Sequence, residues 1–155
     1  MAFPFKRILL ADADATAALA GHIASAAGAG DTLLLQGDIG AGKTTFARAF
    51  IRAKLQSPKE DVPSPTFTLV QTYDAGDVEI WHCDLYRLTD PQEVLELGLD
   101  DAFRDAICLI EWPDRLGRDV AADALLCHFT AEADHHLVTL TGGARWQDML
   151  GSLHV

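Results

Sequence analysis

An α/β layered fold around a mainly parallel sheet is what this sequence predicts, and three observations predict it. Short apolar runs suited to buried strands alternate with amphipathic helical segments along the chain. Between one such run, Asp31–Gln36, and one such helix, Lys43–Leu55, stands Gly37-Asp-Ile-Gly-Ala-Gly-Lys-Thr-Thr45, a full match to G-x-x-x-x-G-K-[ST] in the strand-then-helix context that pattern requires. Two β-rich segments, 66–73 and 78–83, joined by Asp74-Ala-Gly-Asp77, add an antiparallel hairpin. The expectation is a three-layer P-loop NTPase fold, mainly parallel at its centre, forming a single P-loop domain over the 155 residues.

Each element has its own local reason. Phe5–Leu10 is a first strand, and Asp12 is placed to cap an alanine-rich helix that runs to about Ala27, where Gly28-Ala-Gly30 stops it. In the helix after the glycine-rich segment, Phe46, Ala47, Phe50, Ile51 and Leu55 share one face, with Arg48, Arg52 and Lys54 elsewhere. Ser57–Pro65 holds three prolines and reads as a loop. Asp90-Pro91 opens a short helix through Leu97, with Pro91 at its first position, and Gly98 closes it before a second short helix near Asp100–Arg104. Ala106–Ile110 is a buried strand ending in Glu111-Trp-Pro113, followed by strands near Ala124–Thr130 and His136–Thr141 and a small helix, Ala144–Leu150.

The glycine-rich segment has the composition of a polyphosphate cradle. Gly37, Gly40 and Gly42 lack a Cβ, so the backbone of Gly37, Asp38, Ile39, Gly40, Ala41 and Gly42 can turn sharply and aim its N–H groups at phosphate oxygens, reinforced by the positive end of the following helix. Lys43 can reach the β- and γ-phosphates, the Thr44 hydroxyl is placed to ligate Mg²⁺, and Thr45 completes the motif. Turnover also needs an acidic group near the metal and something that positions the nucleophile. Glu111 follows an apolar strand, where a Walker B carboxylate emerges, and Asp84 ends Val78-Glu-Ile-Trp-His-Cys-Asp84, where it can hold a metal-bound or attacking water. Each also fits a solvated carboxylate at a strand end. In Pro63-Ser-Pro-Thr-Phe67 the prolines restrict the backbone around Ser64 and Thr66, whose hydroxyls can face the γ-phosphate and report its loss; a plain connecting loop is the simpler alternative.

Composition narrows the function further. The formal net charge of −11, with only 12 Lys and Arg, argues against a broad nucleic-acid surface and favours action on a partner protein, although acidity also serves ordinary solubility. The apolar stretches are too short to cross a bilayer and the start lacks a signal-peptide core, so a cytoplasmic protein without a membrane role is expected. Cys83, Cys108 and Cys127 form no C-x-x-C pair and read as buried free thiols. The pairs His82-Cys83, Cys127-His128 and His135-His136 have no zinc spacing, because neighbours on a strand point to opposite faces. Trp112, beside Glu111, is placed to brace the site, and Trp81 and Trp146 read as core or rim aromatics.

Together the glycine-rich segment, Ser64-Pro-Thr-Phe-Thr-Leu69, His82-Cys-Asp-Leu-Tyr-Arg-Leu88 with Asp90-Pro91, Glu96-Leu-Gly-Leu-Asp100 and Leu109-Ile-Glu-Trp-Pro113 resemble the TsaE (YjeE) family, the small ATPases of bacterial tRNA threonylcarbamoyladenosine synthesis. The resemblance implies that ATP and Mg²⁺ are the cofactors, that Thr44 and Glu111 serve the metal, that Asp84 is needed for hydrolysis, that Ser64–Phe67 is a switch, and that the region from Asp12 to Thr16 contacts adenine. It also implies TsaB and TsaD type partner proteins, with tRNA met only indirectly and hydrolysis resetting the complex rather than driving the transfer. Family members often carry an Arg in the turn between the last two strands, where this chain reads Ala131-Glu-Ala-Asp-His-His136, leaving His135 and His136 as the basic groups there. Two rival functions fit less well. A small-molecule kinase needs an arginine-bearing lid, and Arg104, Arg115, Arg118 and Arg145 are scattered; a GTP-binding module needs an Asn-Lys-x-Asp segment, which the chain lacks.

Overall fold

Seven strands form one sheet in a computed structural model that describes residues 4–90, 92–116 and 123–151. In chain order the elements are β1 (Pro4–Leu10), α1 (Ala13–Ala26), β2 (Thr32–Gln36), α2 (Lys43–Leu55), β3 (Val70–Asp74), β4 (Glu79–Asp84), α3 (Glu93–Leu97), α4 (Leu99–Asp105), β5 (Ile107–Glu111), a 3₁₀ turn (Pro113–Leu116), β6 (Leu125–Ala131), β7 (His136–Thr141) and α5 (Ala144–Leu150). Across the sheet the order is β1-β7-β6-β2-β5-β4-β3. The central strands β6, β2, β5 and β4 run parallel, and the β3–β4 hairpin closes one edge, as expected. The other edge is antiparallel too, through β6–β7 and β7–β1.

Alternation along the strands divides the core between two faces. Leu33 and Leu35 of β2, Ile107 and Leu109 of β5, and Ile80 of β4 join α1 and α2 through Leu19, Ile23, Phe46 and Phe50. Leu34, Cys108, Ile110 and Cys83 point the opposite way and pack with Leu99 and Ala102 of α4. Central strands buried on both faces read as continuous apolar runs because helices cover both sides. All three cysteines are buried free thiols; burial pushes the Cys108 thiol up to about 12 and raises Cys83 and Cys127 as well.

Local signals explain most of the boundaries. The Asp12 carboxylate accepts the Ala15 N–H at 2.9 Å and caps α1. The other end of α1 is held by Lys54, whose ammonium donates to the carbonyls of Ala24 (3.0 Å) and Ala27 (2.7 Å). Gly76, at φ 95°, makes the hairpin turn, where its N–H reaches the Asp74 carboxylate. Two boundaries depart from the sequence reading. Strand β3 begins at Val70 rather than Thr66, because the Leu69 N–H turns back to the Pro65 carbonyl at 2.7 Å with Leu69 at φ 68°. Helix α3 begins at Glu93; the expected first position, Pro91, lies outside the described residues, as does Arg118. Among the described residues no helix is long and apolar enough to cross a membrane.

Candidate active site

The glycine-rich segment sits at the carboxyl end of β2, in the middle of the sheet, where a parallel α/β sheet opens toward ligands. Gly37, Gly40 and Gly42 all have positive φ, at 147°, 85° and 108°. At Gly37 a Cβ would stand 2.5 Å from the Phe129 carbonyl oxygen, so the close approach to β6 itself requires glycine. A cleft of about 400 Å³ follows, lined by Asp38, Ile39, Gly40, Gly42, Lys43, Thr44, Thr45, Ser64, Thr66, Asp84, Tyr86, Arg87, Glu111, Trp112 and His136. Most of the residues named from sequence therefore converge on one space. Ala41 is buried behind the loop, and with Gly37 and Asp38 it lines a second cleft on the β6 side.

Lys43 is drawn back onto its own loop. Its ammonium donates to the carbonyls of Gly37 and Asp38 (3.1 Å to the latter) and lies 4.1 Å from the centre of the Trp112 ring. Burial pushes its pKa below the ordinary lysine value, and the carboxylates of Glu111, Asp84, Asp38 and Asp114 pull it back up. Trp112 braces this arrangement from an uncommon backbone, φ 60°, and also packs against Tyr86 with ring centres 4.8 Å apart and the rings tilted by 50°.

Asp84 and Glu111 are register partners on parallel β4 and β5, so their side chains leave the same face at the same level. Both are buried. Glu111 accepts the Thr44 hydroxyl at 3.0 Å through Oε1 and meets His82 Nε2 at 2.6 Å through Oε2. Asp84 accepts the Tyr86 N–H at 3.0 Å and the Thr66 hydroxyl at 3.3 Å, and Thr66 shares a 2.7 Å hydrogen bond with Ser64. The Pro65–Leu69 turn thus does what a longer strand would not: it brings the Thr66 hydroxyl to Asp84, with Ser64 bonded behind it. Arg48 and Arg52 of α2 hold the preceding loop by its Val62 and Glu60 carbonyls, at 2.9 and 3.0 Å.

Asp12 is not part of this cleft. Its carboxylate caps α1 and lines an adjoining cavity of about 400 Å³ with Thr16, Glu132, His135 and His136, which meets the glycine-rich loop at Gly42 and Thr45. In the last turn His135 pairs with Asp134, whereas His136 lies between the two cavities with Nε2 3.3 Å from the Gly40 carbonyl. His82 is the participant that sequence reading missed. It lies two residues before Asp84 on the same strand face, and that spacing was the available signal.

The family model described as "Threonylcarbamoyl adenosine biosynthesis protein TsaE" matches residues 10–138. The chain belongs to the TsaE family. A TsaE of Bacillus subtilis, named a tRNA threonylcarbamoyladenosine biosynthesis protein, is 36% identical over 137 residues, covering 87% of this chain and 84% of that relative. One of Rickettsia felis is 40% identical over 107 residues, which cover 69% of this chain and 62% of its own length. For the TsaE of Rickettsia conorii the matched share of the relative falls to 47%, so the chain spans only about half to three fifths of these Rickettsia proteins. Among solved structures, Bacillus subtilis YdiB superposes with a TM-score of 0.79 at 28% identity, covering 97% of this chain and 94% of that one.

Proposed function

We propose that this chain is the ATP-binding and ATP-hydrolysing switch of tRNA threonylcarbamoyladenosine synthesis. The observation that carries the reading is the Thr44–Glu111 hydrogen bond of 3.0 Å, which joins the glycine-rich loop to the end of β5. A hydroxyl that gives its proton to a buried carboxylate turns its lone pairs outward, and that donor set of hard oxygens fits Mg²⁺. The turns at Gly40 and Gly42, each with open space or only distant contact where a Cβ would be, fit the phosphates. Held there by Thr44 with Glu111 behind it, Mg²⁺ would supply positive charge to offset that of the phosphates.

The protein's own groups then divide the work. Lys43 moves from loop carbonyls to phosphate oxygens and Glu111 holds Thr44. Asp84, at the same level as Glu111, orients the attacking water. Ser64 and Thr66, hydrogen-bonded to each other and on to Asp84, transmit the state of the γ-phosphate to the exposed Phe67 next in the chain. Phe67, Ile39 and Tyr86 are exposed around the cleft, and such apolar groups suit partner proteins of the TsaB and TsaD type. The acidic balance of the chain leaves tRNA contact to those partners. The kinase reading finds two of its arginines engaged away from the cleft: Arg104 with Asp101, and Arg145 with Asp31 and Asp123.

The test is depletion of the protein in its source bacterium followed by mass analysis of tRNA nucleosides. Loss of threonylcarbamoyladenosine is expected, restored by the wild-type gene but not by Lys43→Ala. Unchanged modification rejects the pathway. In purified protein, Asp84→Asn should lower ATP turnover by about 10²-fold while leaving ATP affinity intact; equal losses of both would remove Asp84 from the chemistry.

A further inference from the structure

His82 is wholly buried, and its Nε2 lies 2.6 Å from Glu111 Oε2. Its Nδ1 is buried and has no hydrogen-bond partner among the described residues. These two facts fix the tautomer. A carboxylate oxygen accepts, so Nε2 carries the hydrogen and donates it; Nδ1 is the bare nitrogen, because a buried, unpaired N–H would be the costlier arrangement.

Glu111 is itself only 2% exposed, so its two oxygens depend on protein donors. Oε1 takes the Thr44 hydroxyl and Oε2 takes His82. The side chain has three rotatable bonds, and with one donor alone the carboxylate can swing away from Thr44 while keeping a single contact. The second donor, fixed on the rigid strand β4, removes that freedom. His82 is paired in register with Leu109, two residues before Glu111, so it lies one step deeper in the core and holds Glu111 from below. Strand β4 therefore serves the site twice from one face, with Asp84 at the cleft and His82 beneath it.

We propose that His82 is a positioning residue that, through Glu111, orients the Thr44 hydroxyl for a divalent cation. The inference rests on the reading of Thr44 and Glu111 as the cation site. A histidine that merely fills the core predicts a different outcome: its loss would weaken folding and all ligand binding together, with no selective effect on the metal.

The experiment separates these. Mn²⁺ affinity is read by paramagnetic resonance of free Mn²⁺ in the presence of a non-hydrolysable ATP analogue, and metal-free affinity for the same analogue by calorimetry in chelator. His82→Leu should weaken Mn²⁺ binding about tenfold and leave metal-free binding of the analogue unchanged. His82→Gln, whose amide nitrogen can reach the position of Nε2, should restore most of the loss. In a Glu111→Gln background His82→Leu should have no further effect, because its route to the cation is already cut. Wild-type Mn²⁺ affinity in His82→Leu, an equal loss with and without metal, or a full additional loss in the Glu111→Gln background overturns the role. Should the leucine variant fail to fold, His82→Asn, too short to reach Oε2, carries the same comparison. Failure of the unmodified protein to bind Mn²⁺ with the analogue would instead sink the cation site itself.

Discussion

Lys43 and Trp112 are stacked, with the lysine ammonium 4.1 Å from the centre of the indole ring. The pair joins the residue expected to grip phosphate to an aromatic held at φ 60° just past Glu111. A polyphosphate that draws Lys43 away removes a cation from the ring, and indole emission responds to that. Adding an ATP analogue should change the tryptophan fluorescence, and Trp112→Phe should abolish the change. Trp81, bonded to Glu79, and Trp146, buried and bonded to the Asp123 carbonyl, act as internal references. A full signal in Trp112→Phe would contradict the link.

The glycines of the loop should not be equivalent. Gly37→Ala drives a Cβ to 2.5 Å from the Phe129 carbonyl at φ 147° and should cost more than about 2 kcal/mol in urea unfolding. Gly40→Ala meets open space and bears only its positive φ, for about 1 kcal/mol. Similar losses in the two variants would count against the close approach of the loop to β6.

Lys54→Met keeps the aliphatic stem but removes the donor shared by the Ala24 and Ala27 carbonyls. A loss of about 1–2 kcal/mol is expected from urea unfolding, with nucleotide affinity unchanged, since the contact lies at the C-terminal end of α1. No loss would mean that water replaces the ammonium at no cost.

The three thiols predict alkaline sensitivity. Burial holds their folded pKa values above the ordinary thiol range, so the stability they contribute is complete below about pH 9 and declines as pH rises beyond it. At pH 10 an unfolded thiol has mostly lost its proton while the buried one keeps it, which lowers stability by about 1 kcal/mol per thiol relative to pH 8. Urea unfolding at the two values should show this, and Cys127→Ala should remove about one third of the thiol share. A thiol reagent at pH 8 should label the native protein slowly and the unfolded protein at once.

What sequence made visible depended on how local each signal was. The phosphate loop, the Asp12 cap and the hairpin turn at Gly76 are written in adjacent residues, and each stands where its pattern places it. Asp84 and Glu111 were visible because apolar runs end in acids there, although their pairing across β4 and β5 needs the sheet. The antiparallel edge of β1, β7 and β6 was hidden, since strand order is decided by long-range pairing rather than local composition. The start of β3 was misjudged because Thr66 and Thr68 carry strand-like side chains, while the Pro65–Leu69 hydrogen bond turns their backbone. His82 carries no zinc spacing; its place two residues before Asp84 signals only that it shares the site's face, while its partner, a carboxylate on the next strand, is visible only in the sheet.

The placement of β2 bears on how the protein comes into being. Its neighbours in the sheet are β5 and β6, which lie far downstream in the chain. During synthesis the residues of the phosphate loop leave the ribosome with neither flanking strand yet made, and non-local pairing of this kind is slow to form. Gly37 cannot settle against the Phe129 carbonyl until β6 exists. The nascent chain thus carries the whole phosphate-binding motif without its shape, and nucleotide binding arrives only when the last central strand docks.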